Sequence, residues 1–321
     1  MKAYVVKNAE QQLLEHPVRE PEEGQVLVRV ITAGLNHRDL KMKERIGSQE
    51  QAYLLGSDGA GVVEAIGDNV SRFQLGDEVI FNPSLNWYNN ADAPPSSFKI
   101  LDGTFAEYLL ISEDFIEVKP SHMSWEEAGV FALSALTGYR ALFTQGNLKK
   151  GDTLFIPGAG GGVTTFIIQM AKAAGARVIT TSRDEEKLEK ARQLGYDKGL
   201  LTSEDWGSAL EGEQIDLVIE SIGGATFNRS LEVLKKGGRL VTFGSSTDDQ
   251  FTFNLRQFFY GQYKMLGSTM GSREEFRDLL HFCEVNKLKP ILDRGYCLDE
   301  IDEAFSYLAS QQQLGKVYIT M

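Results

Sequence analysis

A backbone that is to grip a pyrophosphate must present N–H groups with no Cβ atoms in the way, at the positive end of a helix. Gly158-Ala159-Gly160-Gly161-Gly162-Val163 is built for that task. The apolar run Thr153 to Pro157 reads as a strand leading into it, and an apolar helical run extends from it through Ala174 and stops at Gly175. A further strand, Arg177 to Thr181, ends about twenty residues beyond the loop, which is the context a dinucleotide fingerprint requires. The loop therefore predicts a dinucleotide site in which Gly160, Gly161, Gly162 and Val163 meet the phosphates. Thr164 stands where the fingerprint has its last glycine, so the helix approaches its strand less closely or finds a small partner opposite.

The choice of nucleotide is read at the end of the second strand, where a carboxylate receives the ribose hydroxyls in NAD sites. This strand ends Thr180-Thr181-Ser182-Arg183, with no carboxylate, an arginine beside the gap and Lys187 one helical turn further. A 2′-phosphate is repelled by a carboxylate and held by a guanidinium, so Ser182, Arg183 and Lys187 predict NADP(H). The alternative is that Arg183 and Lys187 are solvated helix residues. Other reactive side chains are sparse. Cys283 and Cys297 cannot build a disulfide framework, and His16, His37, His122 and His281 are scattered without metal-ligand spacing.

The elements that must hold the loop follow from periodicity. After it come strand candidates at Asp216 to Glu220, Arg239 to Phe243 and Tyr263 to Gly267, and a helix over Asp184 to Leu194, which is a doubly wound α/β pattern. The first 120 residues instead contain short alternating strands at Lys2 to Val6, Val26 to Ile31, Val62 to Ile66, Glu78 to Phe81 and Phe105 to Ile111. Between Asn82 and Asp102 the chain lacks periodicity and carries Trp87, Tyr88 and Phe98, either a flat wall for an aromatic substrate or anchors for a loop. Near residue 270 the pattern resets with a capping box, Ser272 with Glu275, then a helix, an amphipathic helix over Leu298 to Ala309 and a terminal strand over Gly315 to Ile319.

Composition bounds the function. The 321 residues exceed what one core usually organises, and 42% hydrophobic with 24% charged residues excludes a disordered chain. Lys plus Arg is 33 against Asp plus Glu 45, a formal charge of −12 without a basic block, so nucleic acid and anionic membrane are poor partners. No apolar run reaches the length of a membrane span, and the apolar start is too short for a signal peptide, which predicts a cytoplasmic protein.

Six ordered segments carry a resemblance that covers essentially the whole chain: Gly34-Leu35-Asn36-His37-Arg38-Asp39-Leu40, Gly56-Ser57-Asp58-Gly59-Ala60-Gly61-Val62-Val63-Glu64, Leu136-Thr137-Gly138-Tyr139, the glycine loop, Gly267-Ser268-Thr269-Met270-Gly271 and Gly315-Lys316-Val317. With them the sequence resembles the medium-chain dehydrogenase/reductase superfamily, and within it the zinc-free quinone oxidoreductase and alcohol-dehydrogenase-like enzymes. The resemblance implies a GroES-like, mostly β substrate domain over 1–124 and 271–321, a Rossmann NADP(H) domain over 125–270, and a cleft between them. Zinc members read Gly-His-Glu at Gly56-Ser57-Asp58, and carry ligand cysteines at the positions of Asn36 and Leu133. Their structural zinc lobe would fall in 82–102, which has no cysteine. A metal-free enzyme is expected.

Without a Lewis acid, simple aldehydes are poorer substrates than conjugated carbonyls, in which charge delocalises to oxygen as hydride adds to carbon. The expected activity is NADPH-dependent reduction of a quinone, enone or related small carbonyl compound. The alternatives are a zinc-free alcohol or aldehyde reductase and a non-catalytic NADPH-binding redox sensor. By resemblance, Asn36 lies beside the nicotinamide and donates to substrate oxygen or ribose, or is a turn residue, and Asp39 orients that loop or sits at a helix start. Related quinone reductases have a tyrosine where Lys41 stands, which makes Tyr53 the substitute proton donor, with water or simple packing as alternatives. Thr137, Gly244, Ser268 and Met270 match positions lining the nicotinamide, and Lys316 and His37 match phosphate-side positions. A homo-oligomer, dimer or tetramer, is expected through the sheet edge around Tyr263 to Ser268.

Overall fold

The computed structural model describes residues 1–321. They form two compact units, one from Met1–Ser134 with Gly271–Met321, the other from Ala135–Met270.

The first unit is mostly β because its apolar residues alternate. In the strand Gln25–Gly34, Val26, Val28 and Val30 are buried while Arg29 faces water. This ten-residue strand is the hub of a sheet ordered Ile116–Val118, Glu78–Phe81, Asp58–Ile66, Gln25–Gly34, Lys316–Thr320, Leu292–Cys297. Tyr108–Ser112 pairs with the hub's first five residues. A smaller sheet joins Glu10–Glu15, Lys2–Lys7 and Tyr53–Leu54. One apolar cluster gathers Val26, Val63, Phe81 and Ile116, and a second gathers Tyr4, Leu35, Phe105, Ile301 and Val317.

Register in the large sheet sets up the site. Antiparallel pairing places Gly34 opposite Asp58 on one side and Tyr318 on the other. The chain leaving the hub toward Asn36, the chain entering at Asp58 and the chain entering at Lys316 therefore meet at one end of the sheet.

The segment after Asn82 is tied down. It contains a minimal hairpin, Ser84–Leu85 with Lys99–Ile100, and the carbonyls of Trp87 and Tyr88 accept from the backbone N–H groups of Arg273 and Glu274. These begin the helix Arg273–Asn286, which carries the expected capping box of Ser272 and Glu275. Trp87 is buried edge-on to Phe98, and Tyr88 leans on Phe115. Of the two roles open to this aromatic pair, a loop anchor is the one its packing describes.

The second unit is a parallel sheet ordered Lys198–Leu201, Arg177–Ser182, Thr153–Pro157, Ile215–Glu220, Leu234–Thr242, Lys264–Gly267. Chain order reverses between Thr153–Pro157 and Ile215–Glu220, which opens a crevice at the carboxyl ends of the strands. Phe155, Ile179, Trp206, Val218 and Leu240 pack in its core. The helix expected over Asp184 to Leu194 is split into an α segment, Glu185–Lys190, and a tighter 3-10 turn, Ala191–Leu194, before Gly195 at φ 82°. Such a turn satisfies carbonyls that a short helix leaves unpaired. The strand Leu292–Cys297 escapes pattern reading because Asp293, Arg294 and Gly295 are all exposed. Gly138 has a packing reason: a Cβ there would come within 2.9 Å of Ile167 on the helix Gly162–Ala173. No helix is long and apolar enough to cross a membrane.

Candidate active site

Four polar side chains converge where the three strand ends of the first unit meet. Lys316 is 3% exposed, and its ammonium donates to Asn36 Oδ1 at 2.6 Å, Ser134 Oγ at 3.1 Å and Asp58 Oδ2 at 3.2 Å. Asp58 also accepts from the Leu133 backbone N–H at 2.6 Å and from Asn36 Nδ2 at 3.0 Å. A buried charge is tolerated only when paired and hydrogen-bonded, and here each charge has the other together with neutral partners. Asn36 is pinned at both ends of its amide. Its oxygen takes Lys316 and Ser134, and its nitrogen gives to Asp58. Lys316, matched in the sequence to a phosphate-side position, is thus placed in a buried network within the first unit.

This donor set does not fit the zinc that the resemblance implies in other members. The corresponding positions offer an amide, a hydroxyl, one carboxylate and the apolar Leu133, and the oxygens of Asn36 and Asp58 are already spent on an ammonium and N–H donors. No group of three His, Cys, Asp or Glu side chains is arranged to hold a metal ion.

A second cluster lies beside the first. Arg38 Nη1 donates to Ser57 Oγ and to Asp102 Oδ1 at 2.9 Å, and Asp102 Oδ2 accepts from the Tyr53 hydroxyl at 2.5 Å. Burial, reinforced by the bond to Asp102, pushes the Tyr53 phenol up to about 12. Tyr53, expected as a proton donor, is placed as the brace of a carboxylate and holds its proton firmly. Asp39 links the clusters: Oδ2 accepts the Asn36 backbone N–H at 2.8 Å, and Oδ1 lies 3.7 Å from Arg38 Nη1. Burial raises its carboxyl to about 7, against the opposing pull of Arg38. Asp39 thus orients the Asn36 loop. His37 keeps surface open to water, but crowding of its ring by the protein strips enough solvent that desolvation, then the Lys316 and Lys41 charges, pushes its pKa below the ordinary imidazole value.

In the second unit the glycine loop turns at Gly158, whose φ of 87° lies in the left-handed region that favours glycine. Gly158 and Ala159 donate to the Thr181 carbonyl, fixing the loop to the neighbouring strand. The helix Gly162–Ala173 then begins at Gly161 with no side-chain cap, leaving its first N–H groups for an anion. A Cβ at Gly161 would come within 3.1 Å of the Thr164 hydroxyl, so the glycine accommodates the Thr164 substitution. Ser182 ends its strand buried, and its hydroxyl accepts from Asp184 N–H. The carboxylate nearest that strand end belongs to Asp184, and it is spent capping the next helix through the N–H groups of Glu186 and Lys187. Arg183 is exposed, and Lys187 half-buried.

Further along the same carboxyl edge, Ser245 Oγ and Ser268 Oγ are buried without hydrogen-bond partners. Thr137 Oγ1 reaches Met270 Sδ at 3.7 Å, and Met270 holds a left-handed φ of 43°. Orphaned hydroxyls and a strained residue are features that a bound group accounts for. The residues present fit a dinucleotide. Gly244 lies on the exposed turn after Leu234–Thr242.

Sequence reasoning passed over Asp58, Ser134, Arg38, Ser57 and Asp102 as chemistry, and also Glu220. The buried Glu220 carboxylate accepts from Ile222 and Gly223 N–H and from the Thr226 and Ser230 hydroxyls, holding the loop after its strand. An acid at the end of an otherwise mostly apolar strand, Asp58 opening Asp58–Ile66 and Glu220 closing Ile215–Glu220, was the available signal.

Residues 22–121 match the model of the alcohol dehydrogenase GroES-like domain, and residues 162–284 that of the zinc-binding dehydrogenases. The zinc-type alcohol dehydrogenase-like protein YogA of Leptosphaeria maculans is 31% identical over 93% of this chain and 91% of its own. The chain belongs to the medium-chain dehydrogenase/reductase superfamily. It is an oxidoreductase of that superfamily, with its Rossmann and GroES-like folds. The acryloyl-coenzyme A reductase of Sulfurisphaera tokodaii is 29% identical over 99% of both chains. Among solved structures of the superfamily, an NAD-dependent alcohol dehydrogenase superposes with a TM-score of 0.92 at 32% identity, covering 100% of each chain.

Proposed function

We propose that this chain transfers hydride from NADPH to a conjugated carbonyl compound, an enone or quinone, without zinc. The observation that carries the reading is the Lys316 ammonium seated among Asn36, Asp58 and Ser134, where zinc members need ligands. The ammonium, amide and hydroxyl spend their donors on one another and on Asp58, so this end of the sheet supplies no Lewis acid; conjugated acceptors need only hydrogen-bond donors and a proton. The acryloyl-coenzyme A reductase relative, whose name specifies a conjugated acyl group, supports this substrate class. Arg183 at the end of the second strand, with Asp184 turned into a helix cap, supports NADPH, although the solved relative above is named for NAD. When bound, the nicotinamide supplies the hydride. In the second unit, the helix start at Gly162 would hold the pyrophosphate and Ser268 and Ser245 would give polar contacts.

We further propose a homo-oligomer formed through the open edge strand Lys264–Gly267, flanked by exposed Phe259, Tyr260 and Met265. The reading is tested by following NADPH oxidation by chelator-treated protein with a panel of enones, quinones and saturated aldehydes. Turnover confined to the conjugated acceptors is the expected result. Turnover confined to aldehydes, or activity restored only by added zinc, would overturn it.

A further inference from the structure

The large sheet of the first unit is apolar on both faces where Gln25–Gly34 meets Tyr108–Ser112. Val26 and Val28 turn into the core, so Leu27 between them points out of the opposite face. Register sets Leu27 against Leu110, and both are half-buried. Neither leucine joins an apolar cluster of the unit. A face shown to water would carry polar side chains here. Instead these leucines line a cavity of about 330 Å³ that lies wholly within the first unit. Leu54, Tyr53 and Tyr108 stand around it, and the connection Pro17-Val18-Arg19, which follows the strand Glu10–Glu15, forms its exposed rim.

Charge around the cavity is unevenly spent. The Asp102 carboxylate in its wall is held by Arg38 and by the Tyr53 hydroxyl. The Met1 ammonium is matched by Glu15 and the His16 carbonyl, and His16 Nδ1 bonds the Pro17 carbonyl. Arg19 at the rim bonds neither an acid nor a carbonyl, so one cation is left over. Walls of leucine and tyrosine with a single unspent guanidinium are complementary to an apolar body that carries one negative charge. At about 330 Å³ the space is roughly twice that of a cavity known to hold benzene, which suits one ring or two fused ones.

We propose that this cavity binds a small arylcarboxylate, with its ring against Leu27, Leu110 and the two tyrosines and its carboxylate on the fork of Arg19. The site is separate from the glycine loop, which belongs to the second unit. Titration calorimetry of the whole chain with 2-naphthoate tests the assignment. The expected result is one saturable site with a dissociation constant of about 1 mM or tighter, unchanged by excess NADPH. The uncharged 2-naphthalenemethanol should bind the parent about 3- to 10-fold more weakly, and Arg19→Ala should bring the two ligands level. Arg19 is exposed, so that variant is expected to fold as the parent does. Leu110→Trp fills the cavity and should remove binding of both ligands. If Leu110→Trp does not fold, methyl NMR of the parent supplies the location: naphthoate should shift the Leu27, Leu54 and Leu110 signals. No saturable binding up to about 10 mM, displacement by NADPH, or unshifted leucine methyls would overturn the proposal. Equal affinity of the parent for acid and alcohol, or of parent and Arg19→Ala for the acid, would also overturn it.

Discussion

Asp39 has no surface open to water, and burial lifts its carboxyl to about 7. The folded chain therefore keeps a proton that the unfolded chain, with an ordinary value of 3.8, has already released. Stability bound to this group is full below about pH 4 and declines as pH rises toward about 7. Urea unfolding across that window should show Asp39→Asn lacking a decline on the order of a few kcal/mol that the parent shows; parallel profiles for the two proteins would refute the buried acid. Arg183 makes the other prediction at this scale. One charge-assisted bond to a 2′-phosphate, at roughly 1.5–3 kcal/mol, amounts to about a 10- to 200-fold preference that Arg183→Ala should erase for NADPH alone. Equal loss with NADH would take Arg183 out of the phosphate site.

The strand ends hold the charged network, so the network should in turn hold the strands. Lys316→Met leaves Asp58 buried without its cation and is expected to cost about 3–5 kcal/mol. Adding Asp58→Asn should recover much of that, and a double-mutant cycle in chemical denaturation with no coupling would show that the pair is not joined. Elements also mark the limit of what sequence reveals. The glycine loop, the capping box at Ser272 and the strand before Gly158 are local patterns, and the structure has all three. The Lys316 network is not local: its residues lie up to 280 positions apart, and only the register that sets Gly34 against Asp58 and Tyr318 brings them together. Arg38, Tyr53 and Asp102 were unreadable for the same reason. Tyr53 stood out as a lone phenol, and only its packing shows a carboxylate taking its hydrogen bond.

For the whole molecule, the class of each unit was legible, alternating short strands and then a doubly wound sheet, because periodicity reports burial and both units bury their apolar faces in the ordinary way; the order of strands was not. The exposed edge at Lys264–Gly267 predicts a solution mass that is a multiple of the chain's, reduced to one chain by Tyr260→Glu with Met265→Lys; an unchanged mass would place the contact elsewhere. The central claim is metal-free hydride delivery to a conjugated carbon, and isotope tracing reads it directly. Chelator-treated protein is given NADPH deuterated at nicotinamide C4 together with cyclohexenone, and the product is examined by NMR. The account predicts deuterium on the carbon β to the carbonyl in saturated ketone. Deuterium on the carbonyl carbon of an allylic alcohol, or transfer only after zinc is returned, would contradict it.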